Sequence, residues 1–478
     1  AYAQLAGLPP YYGLYASFLP GIIAALFGSS RQLATGPVAV VSLLTASALE
    51  PIAGANPELY STYAIMLALM VGAFQIGLGL LRLGVLVNFL SHPVVVGFTN
   101  AAAIIIGTSQ LGKLFGVSVE KAEHTYETVF NTLVEAFSNT HLETMLMAIV
   151  ALSIMIAMKR LIPKAPNVLT AVVVTTVISW MVGFEQMGGA VVGKIPAGLP
   201  ALAIPELDFQ TMGQLLSVTV AIALIGFMEA ISIAKAMAAS TRQRLDANQE
   251  LVGQGLANIF SSLSQGYAVS GSFSRSAVNI SVGAKTGFSA VVTGAVVGVT
   301  LLWLTPLLYH QPQATLAAVI IMAVINMVKI APIKHAWKVQ RHDAAVSLIT
   351  FMLTIIWAPH LDKGIMVGVL LSLALFLYRS MAPRIAVLSR DPDGSLRDAD
   401  VRKLETCRNI SLIRFDGSLY FANTGYFEDK ILERVALKPD LQFVIIDAEG
   451  INSIDSTGEE MLGMLIERLR EAGVETVS

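Results

Sequence analysis

Over about its first 380 positions the chain runs in long apolar blocks that charged residues interrupt only at intervals. Stretches with no Asp, Glu, Lys or Arg include 1–30, 32–49, 59–81, 83–112, 209–228, 251–274 and 286–328. A helix needs about 20 apolar residues to span a bilayer, so most of these blocks suffice for one pass and the longest for two. Pro9-Pro10, His92-Pro93 and the stretch Pro306–Pro312 divide the longer ones. The pattern predicts fourteen segments, at 1–8, 11–27, 36–50, 60–81, 92–112, 141–161, 166–183, 212–237, 247–265, 273–284, 287–308, 313–329, 343–358 and 363–380. Residues 120–139 space Glu120, Lys121, Glu123, Glu127 and Glu135 among apolar positions and read as an amphipathic surface helix. Small residues at Gly72, Gly77, Gly79, Gly294 and Gly298 read as helix-packing surfaces.

The period changes near residue 409. Ile410–Phe415 and Gly417–Phe421 read as strands joined by a hairpin at Asp416-Gly417. A helix over 428–435 and a buried strand over 443–447 follow. Asp455-Ser456-Thr457-Gly458 then caps a helix over 458–472, with Met461, Leu462, Leu465, Ile466 and Leu469 on one face, and 475–478 reads as a last strand. Strand–helix alternation implies a small α/β domain.

Charge divides the chain at the same place. Only 13% of the 478 residues are charged, against about 25% in soluble proteins. Residues 1–383 hold 34 of these charges (about 9%) and residues 384–478 hold 30 (about 32%). A net charge of −2 gives no electrostatic case for nucleic acid, and the single Cys407 excludes a disulfide framework. The opening Ala1-Tyr2-Ala3-Gln4 has neither Met nor a signal peptide. It reads as a first helix truncated at its start, and the short tail reads as truncated at its end.

Basic residues orient the membrane part. Fourteen Lys and Arg fall on one side, from Arg31 through Lys159, Arg160, Lys164, Lys235 and Lys329 to Arg379, against Lys113, Lys121, Lys194 and Lys363 on the other. The basic side is cytoplasmic, and so is the tail. This sorting requires the short segments 36–50 and 273–284 each to cross.

Those two segments are about half a span long and stand third in each set of seven. The first opens Thr35-Gly36-Pro37-Val38, with Thr35 as an N-cap. The second opens Ser270-Gly271-Ser272-Phe273-Ser274-Arg275, with serine caps in an extended stretch. Short, Gly/Pro-interrupted segments at matching positions of two halves point to a binding site at the bilayer midplane. Two helix N-termini and an arginine suit an anion. Arg275 inside a bilayer costs about 2.5–3.5 kcal/mol or more, so it is either a functional charge or one arm of a structural salt bridge. Glu229 is a partner for Arg275, a proton acceptor, or part of a fixed ion pair. Tyr2 and Gln4 can offer polar groups to the same cavity, while His92 and His310 read as segment-end residues. Ser456 offers a phosphorylation or anion site, against the plainer reading of a cap.

The run Ala6-Gly7-Leu8-Pro9-Pro10-Tyr11-Tyr12-Gly13-Leu14-Tyr15 resembles the first signature of the sulfate permease (SulP) anion transporter family. So do Gly36-Pro37-Val38-Ala39-Val40-Val41-Ser42-Leu43-Leu44 and Ser272-Phe273-Ser274-Arg275-Ser276-Ala277-Val278-Asn279 at the third and tenth segments. Asn452-Ser453-Ile454-Asp455-Ser456-Thr457-Gly458 is similar to that family's STAS domain, shared with anti-sigma-factor antagonists. The resemblance implies an α-helical polytopic membrane protein with fourteen segments in seven-plus-seven inverted repeats, like uracil permeases. A core (about 1–81 and 212–308) would move like an elevator against a gate (about 84–183 and 313–380), with a cytoplasmic STAS domain at 384–478 and a homodimeric assembly. By position, the family's substrate cavity falls on Tyr2, Val38, Phe273, Ser274 and Arg275, with Glu229 as the coupling carboxylate. Ser456 would be the serine phosphorylated in the antagonists.

The expectation is a secondary transporter of the bacterial inner membrane for small inorganic or carboxylate anions, sulfate or bicarbonate above all. It would need no cofactor beyond H⁺ or Na⁺ as coupling ion, by symport or exchange. A nucleobase permease of the same fold is one alternative, though it would want carboxylates where Arg275 stands. A membrane-anchored STAS signalling protein is the other. No metal cluster, triad spacing or P-loop in the sequence speaks for an enzyme.

Overall fold

The computed structural model describes every residue except 55, 85–90, 121, 123, 163, 164, 326 and 478. The sequence readings at Lys121, Glu123, Lys164 and Ser478 fall outside the described residues. Two compact units divide the chain, Ala1–Ser372 and Leu373–Ser478.

Each of the fourteen predicted segments contains a helix. The first four are α1 (Tyr2–Leu5), α2 (Tyr11–Phe27), α3 (Ala39–Ala53), which strand β1 (Ala34–Gly36) precedes, and α4 (Pro57–Leu80). Next, α5 (His92–Ser109) runs on into the short α6 (Leu111–Phe115), the surface helix α7 (Thr125–Asn139) follows, and α8 (Leu142–Leu161) and α9 (Asn167–Val182) complete the first seven. The second seven open with α10 (Phe209–Thr241) and α11 (Ala247–Leu263); strand β2 (Ser270–Ser272) then leads into α12 (Phe273–Ser281). After α13 (Phe288–Val299) and α14 (Gln313–Ile325) comes a short helix the sequence pattern did not predict, α15 (Ala331–Val339), ahead of α16 (Arg341–Ile356) and α17 (Leu361–Met381). Among the described residues, six helical stretches are long and apolar enough to cross a membrane by length and composition.

Helix starts follow side-chain capping where the sequence supplies it. Asn56 Oδ1 accepts the N–H groups of Glu58 and Leu59 ahead of α4, and Asp208 and Asp246 do the same work for α10 and α11. Glycines then let helices approach. A Cβ on Gly72 would stand 2.6 Å from the Gly255 carbonyl oxygen, and one on Gly255 2.8 Å from the Gly72 oxygen, so α4 and α11 touch backbone to backbone. Gly294 and Gly298 lie as closely against Ile22 and Phe18 of α2. Gly77 does not belong to such a surface: nothing lies within 4 Å of the place its Cβ would take.

Helices of the first unit pack as two groups, α1–α4 with α10–α13, and α5–α9 with α14–α16. Where α3 meets α5 and α14, the contact is apolar. Ala102 and Ile106 of α5 and Ile320 and Val324 of α14 share one buried cluster with Leu43 and Leu44 of α3.

The second unit is a five-stranded sheet of order β4-β3-β5-β6-β7, built from β3 (Arg384–Arg390), β4 (Leu396–Asp398), β5 (Ile410–Asp416), β6 (Phe443–Asp447) and β7 (Glu475–Val477). Helices α18 (Ala399–Arg402), α19 (Thr424–Leu437) and α20 (Ser456–Glu471) complete it. β5, β6 and β7 run parallel, while β3 lies antiparallel to β4 and β5. The hairpin expected at Asp416-Gly417 does not form. Gly417 N–H bonds the Gly450 carbonyl and Leu419 N–H the Ser453 carbonyl, so the 417–421 backbone is claimed by the loop after β6 rather than by β5. Met461, Leu465 and Leu469 of α20 join Phe415, Phe427 and Val444 in a separate core.

Candidate functional site

Strands β1 and β2 pair antiparallel, Ala34 with Ser272, Thr35 with Gly271 and Gly36 with Ser270. The half-helices α3 and α12 therefore start from one shared two-stranded ribbon. Ser276 Oγ, fully buried on α12, accepts the Ala34 N–H at 2.8 Å and ties the ribbon to that helix. α10 supports the ribbon from behind: Ser270 Oγ donates to the Gly226 carbonyl at 2.6 Å, and Gly271 faces Ala230. Glu229 lies on this stretch of α10.

Neither half-helix is capped by a side chain. Thr35, expected to cap α3, lies in β1 with its Oγ1 accepting from Gln254 Nε2 at 2.8 Å, and the N-cap position falls to Val38. Ser272 takes the N-cap position of α12 and makes no cap bond. Helix-end N–H groups need partners; here no side chain has taken them, and an anion can.

Arg275 lies across the start of α3. Its Nη2 is 3.0 Å from the position a Cβ on Gly36 would occupy, is buried, and has no hydrogen-bond partner among the described residues. Tyr2 and Tyr267 lie within reach of its charge. Tyr267 is fully buried, and its hydroxyl stands 3.1 Å from Ser42 Oγ on α3. Gln4 Oε1 and Glu229 Oε2 are likewise buried without partners. Of these, the unmet guanidinium nitrogen is the costliest to leave without a partner, and an anion beside the helix ends can supply one. The ion pair between Arg275 and Glu229 that the sequence allowed is not formed among the described residues.

Glu229 has a different charged neighbour, Lys329, whose ammonium also stands 6.0 Å from the centre of the Phe273 ring. Lys329 follows α14, and Asn100 of α5 holds its backbone twice, accepting its N–H at 2.6 Å and donating to its carbonyl at 3.0 Å. Phe273 is 63% exposed and Ser274 is exposed, while Val38 is buried. Sequence reasoning did not single out Tyr267 or Gly36 for the site, and it counted Lys329 only as a loop charge. A glycine just before Pro37 was the available signal for Gly36. In the second unit, Asp455 alone caps α20, its Oδ1 accepting Gly458 N–H and its Oδ2 Phe421 N–H; Ser456 is exposed in the first turn.

Residues 1–350 match the model of the sulfate permease family and residues 402–477 that of the STAS domain. "Probable sulfate transporter 4.2" of Arabidopsis thaliana is 39% identical over 495 residues, spanning 99% of this chain and 72% of that protein. Among solved structures, SLC26A9 is similar at a TM-score of 0.90 and 22% identity, over 99% of this chain and 80% of its own, a likeness of fold. The transmembrane domain of a cyanobacterium bicarbonate transporter, BicA, is similar at a TM-score of 0.67 and 26% identity, over 78% of this chain and 92% of its own.

Proposed function

We propose a function from one premise: the chain belongs to the sulfate permease family and carries a STAS domain. On that premise it moves a small inorganic or carboxylate anion across a bilayer, sulfate in the first place and bicarbonate in the second. One observation carries the reading. Two half-helix N-termini without side-chain caps start from one ribbon, and the buried, unpartnered Nη2 of Arg275 lies beside them. The N–H ends and the guanidinium would share the anion's charge. The relatives' names support sulfate and bicarbonate as substrates.

Transport then proceeds by sliding the α1–α4/α10–α13 group against the α5–α9/α14–α16 group. The apolar contact of α3 with α5 and α14 supports this, because it has no directional bonds to break. H⁺ or Na⁺ couples through Glu229. A homodimer in a bacterial inner membrane, with the tail in the cytoplasm, completes the proposal, and Ser456 is its regulatory phosphosite. An arginine at the start of α12, rather than a carboxylate, weighs against a nucleobase substrate.

Proteoliposome flux of sulfate, bicarbonate, a C4-dicarboxylate and chloride, with and without Na⁺ and pH gradients, tests the reading. Wild-type protein should carry at least one of them. Arg275→Ala should lower that flux by about tenfold or more, the worth of lost hydrogen bonds to a charged group. Undiminished flux in that variant would overturn the site assignment.

A further inference from the structure

The groups proposed to meet the anion and the coupling ion lie on α12, α3 and α10, yet one further helix holds both arms of the ribbon. Glu250, Gln254, Asn258 and Ser261 recur along α11 at helical spacing, and all four are buried, Glu250 to 1% exposure. The first pair holds the approach to β1. Glu250 Oε2 accepts the backbone N–H groups of Ser29 and Ser30, each at 2.8 Å, and its Oε1 accepts Gln254 Nε2 at 3.0 Å. Gln254 Nε2 also donates to Thr35 Oγ1 at 2.8 Å, one residue before the glycine on which Arg275 rests. The second pair holds the approach to β2. Asn258 Oδ1 accepts the Val269 N–H at 2.8 Å and its Nδ2 donates to the Val269 carbonyl at 3.1 Å. Ser261 Oγ donates to the Tyr267 carbonyl at 2.6 Å.

We propose that this stripe on α11 sets the register of both half-helices, with Glu250 and Asn258 as positioning residues of the anion site. Glu250 fixes β1, and with it Gly36 and the start of α3; Asn258 fixes β2 and the start of α12. Neither residue touches the anion. The proposal rests on the transport reading above and adds which residues hold its site in shape. It also gives Glu250 a role distinct from coupling, since its carboxylate is spent on backbone N–H groups. An amide at position 250 keeps one oxygen for the Ser29 and Ser30 N–H groups. Gln254, whose Oε1 is unpartnered, can then turn to accept from the new amide and from the Thr35 hydroxyl. Glu250→Gln is therefore the conservative variant.

The test measures flux in proteoliposomes, separating KM from kcat, for sulfate and bicarbonate. Glu250→Ala and Asn258→Ala should each raise KM by about tenfold, the scale of one or two lost buried hydrogen bonds, with kcat within about threefold, while Glu250→Gln stays near wild type. Amide hydrogen exchange on the same purified full-length proteins should quicken over 29–38 in Glu250→Ala and over 267–274 in Asn258→Ala. Where an alanine variant fails to fold, Thr35→Val cuts only the last link and should raise KM by about threefold. Unchanged KM and exchange in the alanine variants, or in Thr35→Val, would overturn the proposal. So would a Glu250→Gln variant that loses gradient-driven flux, since the charge itself would then be in use. If wild-type protein carries none of the four anions tested above, the transport reading fails separately, and the exchange data still decide whether α11 holds the ribbon.

Discussion

A guanidinium enclosed in a helical membrane unit normally keeps a carboxylate beside it, because an unpaired buried charge is expensive. Arg275 and Glu229 depart from that habit: each keeps a buried polar atom without a partner, and they do not bond to each other among the described residues. An arginine with an unmet donor, and a carboxylate that faces Lys329 instead of that arginine, suit a protein that binds an anion at one and a cation at the other. The α10 carboxylate would take H⁺ or Na⁺, and the anion would settle between Arg275 and the helix ends. Glu229→Gln removes the charge while keeping the shape. Anion exchange in that variant should remain within severalfold of wild type, whereas uptake driven by a pH or Na⁺ gradient should vanish. The check is counterflow set beside gradient-driven uptake in the same vesicles. Gradient-driven uptake that persists would make Glu229 a structural group.

Among elements, α4 lies on α11 backbone to backbone, and the contact depends on two glycines facing each other's carbonyls. Gly72→Leu would force these helices apart and should destabilise the protein by about 1–3 kcal/mol, the usual cost of overpacking. Gly77→Ala adds a methyl to open space and should leave the thermal midpoint of the purified protein unchanged. Equal losses in the two variants would contradict the approach. The fourteen helices were legible because span length and apolar runs act locally, and the half-helices because Gly36-Pro37 and Gly271 interrupt their blocks. The pairing of β1 with β2 was not. Each strand has three residues, and only tertiary structure brings them together, so Thr35 read as a cap when its hydroxyl serves Gln254 instead. Asp416-Gly417 is a real turn signal that lost to backbone bonds with Gly450 and Ser453. Glu250, three residues into α11, looks like an acidic helix start and is in fact buried beneath the Ser29–Ser30 loop.

On the scale of the whole molecule, every residue proposed to meet the anion or the coupling ion belongs to Ala1–Ser372. The bonds that shape their site, from the β1–β2 ribbon to the α11 stripe, close within that unit as well. The second unit has its own sheet and core, with Asp455 capping α20 and reaching Phe421 N–H on the far side of the same loop pair. The structure divides the chain after Ser372, eleven residues before the charge break near residue 384. The unforeseen strand β3 adjoins that break; its run Ile385-Ala386-Val387-Leu388 is apolar without alternation, so no period of two marks it as a strand. Two variants of the full chain follow from the division. Asp455→Ala should cost the tail about 1 kcal/mol, the typical value of an N-cap, visible as faster amide exchange along 456–471, with flux unchanged. Ending the chain at residue 383 should leave flux within severalfold of wild type. Flux that collapses in the shortened chain, with the protein still inserted and monodisperse, would make the STAS domain a working part of the transport cycle. Flux that survives assigns it to regulation or assembly, and Ser456→Asp in the intact chain then shows whether a negative charge at the start of α20 changes the rate.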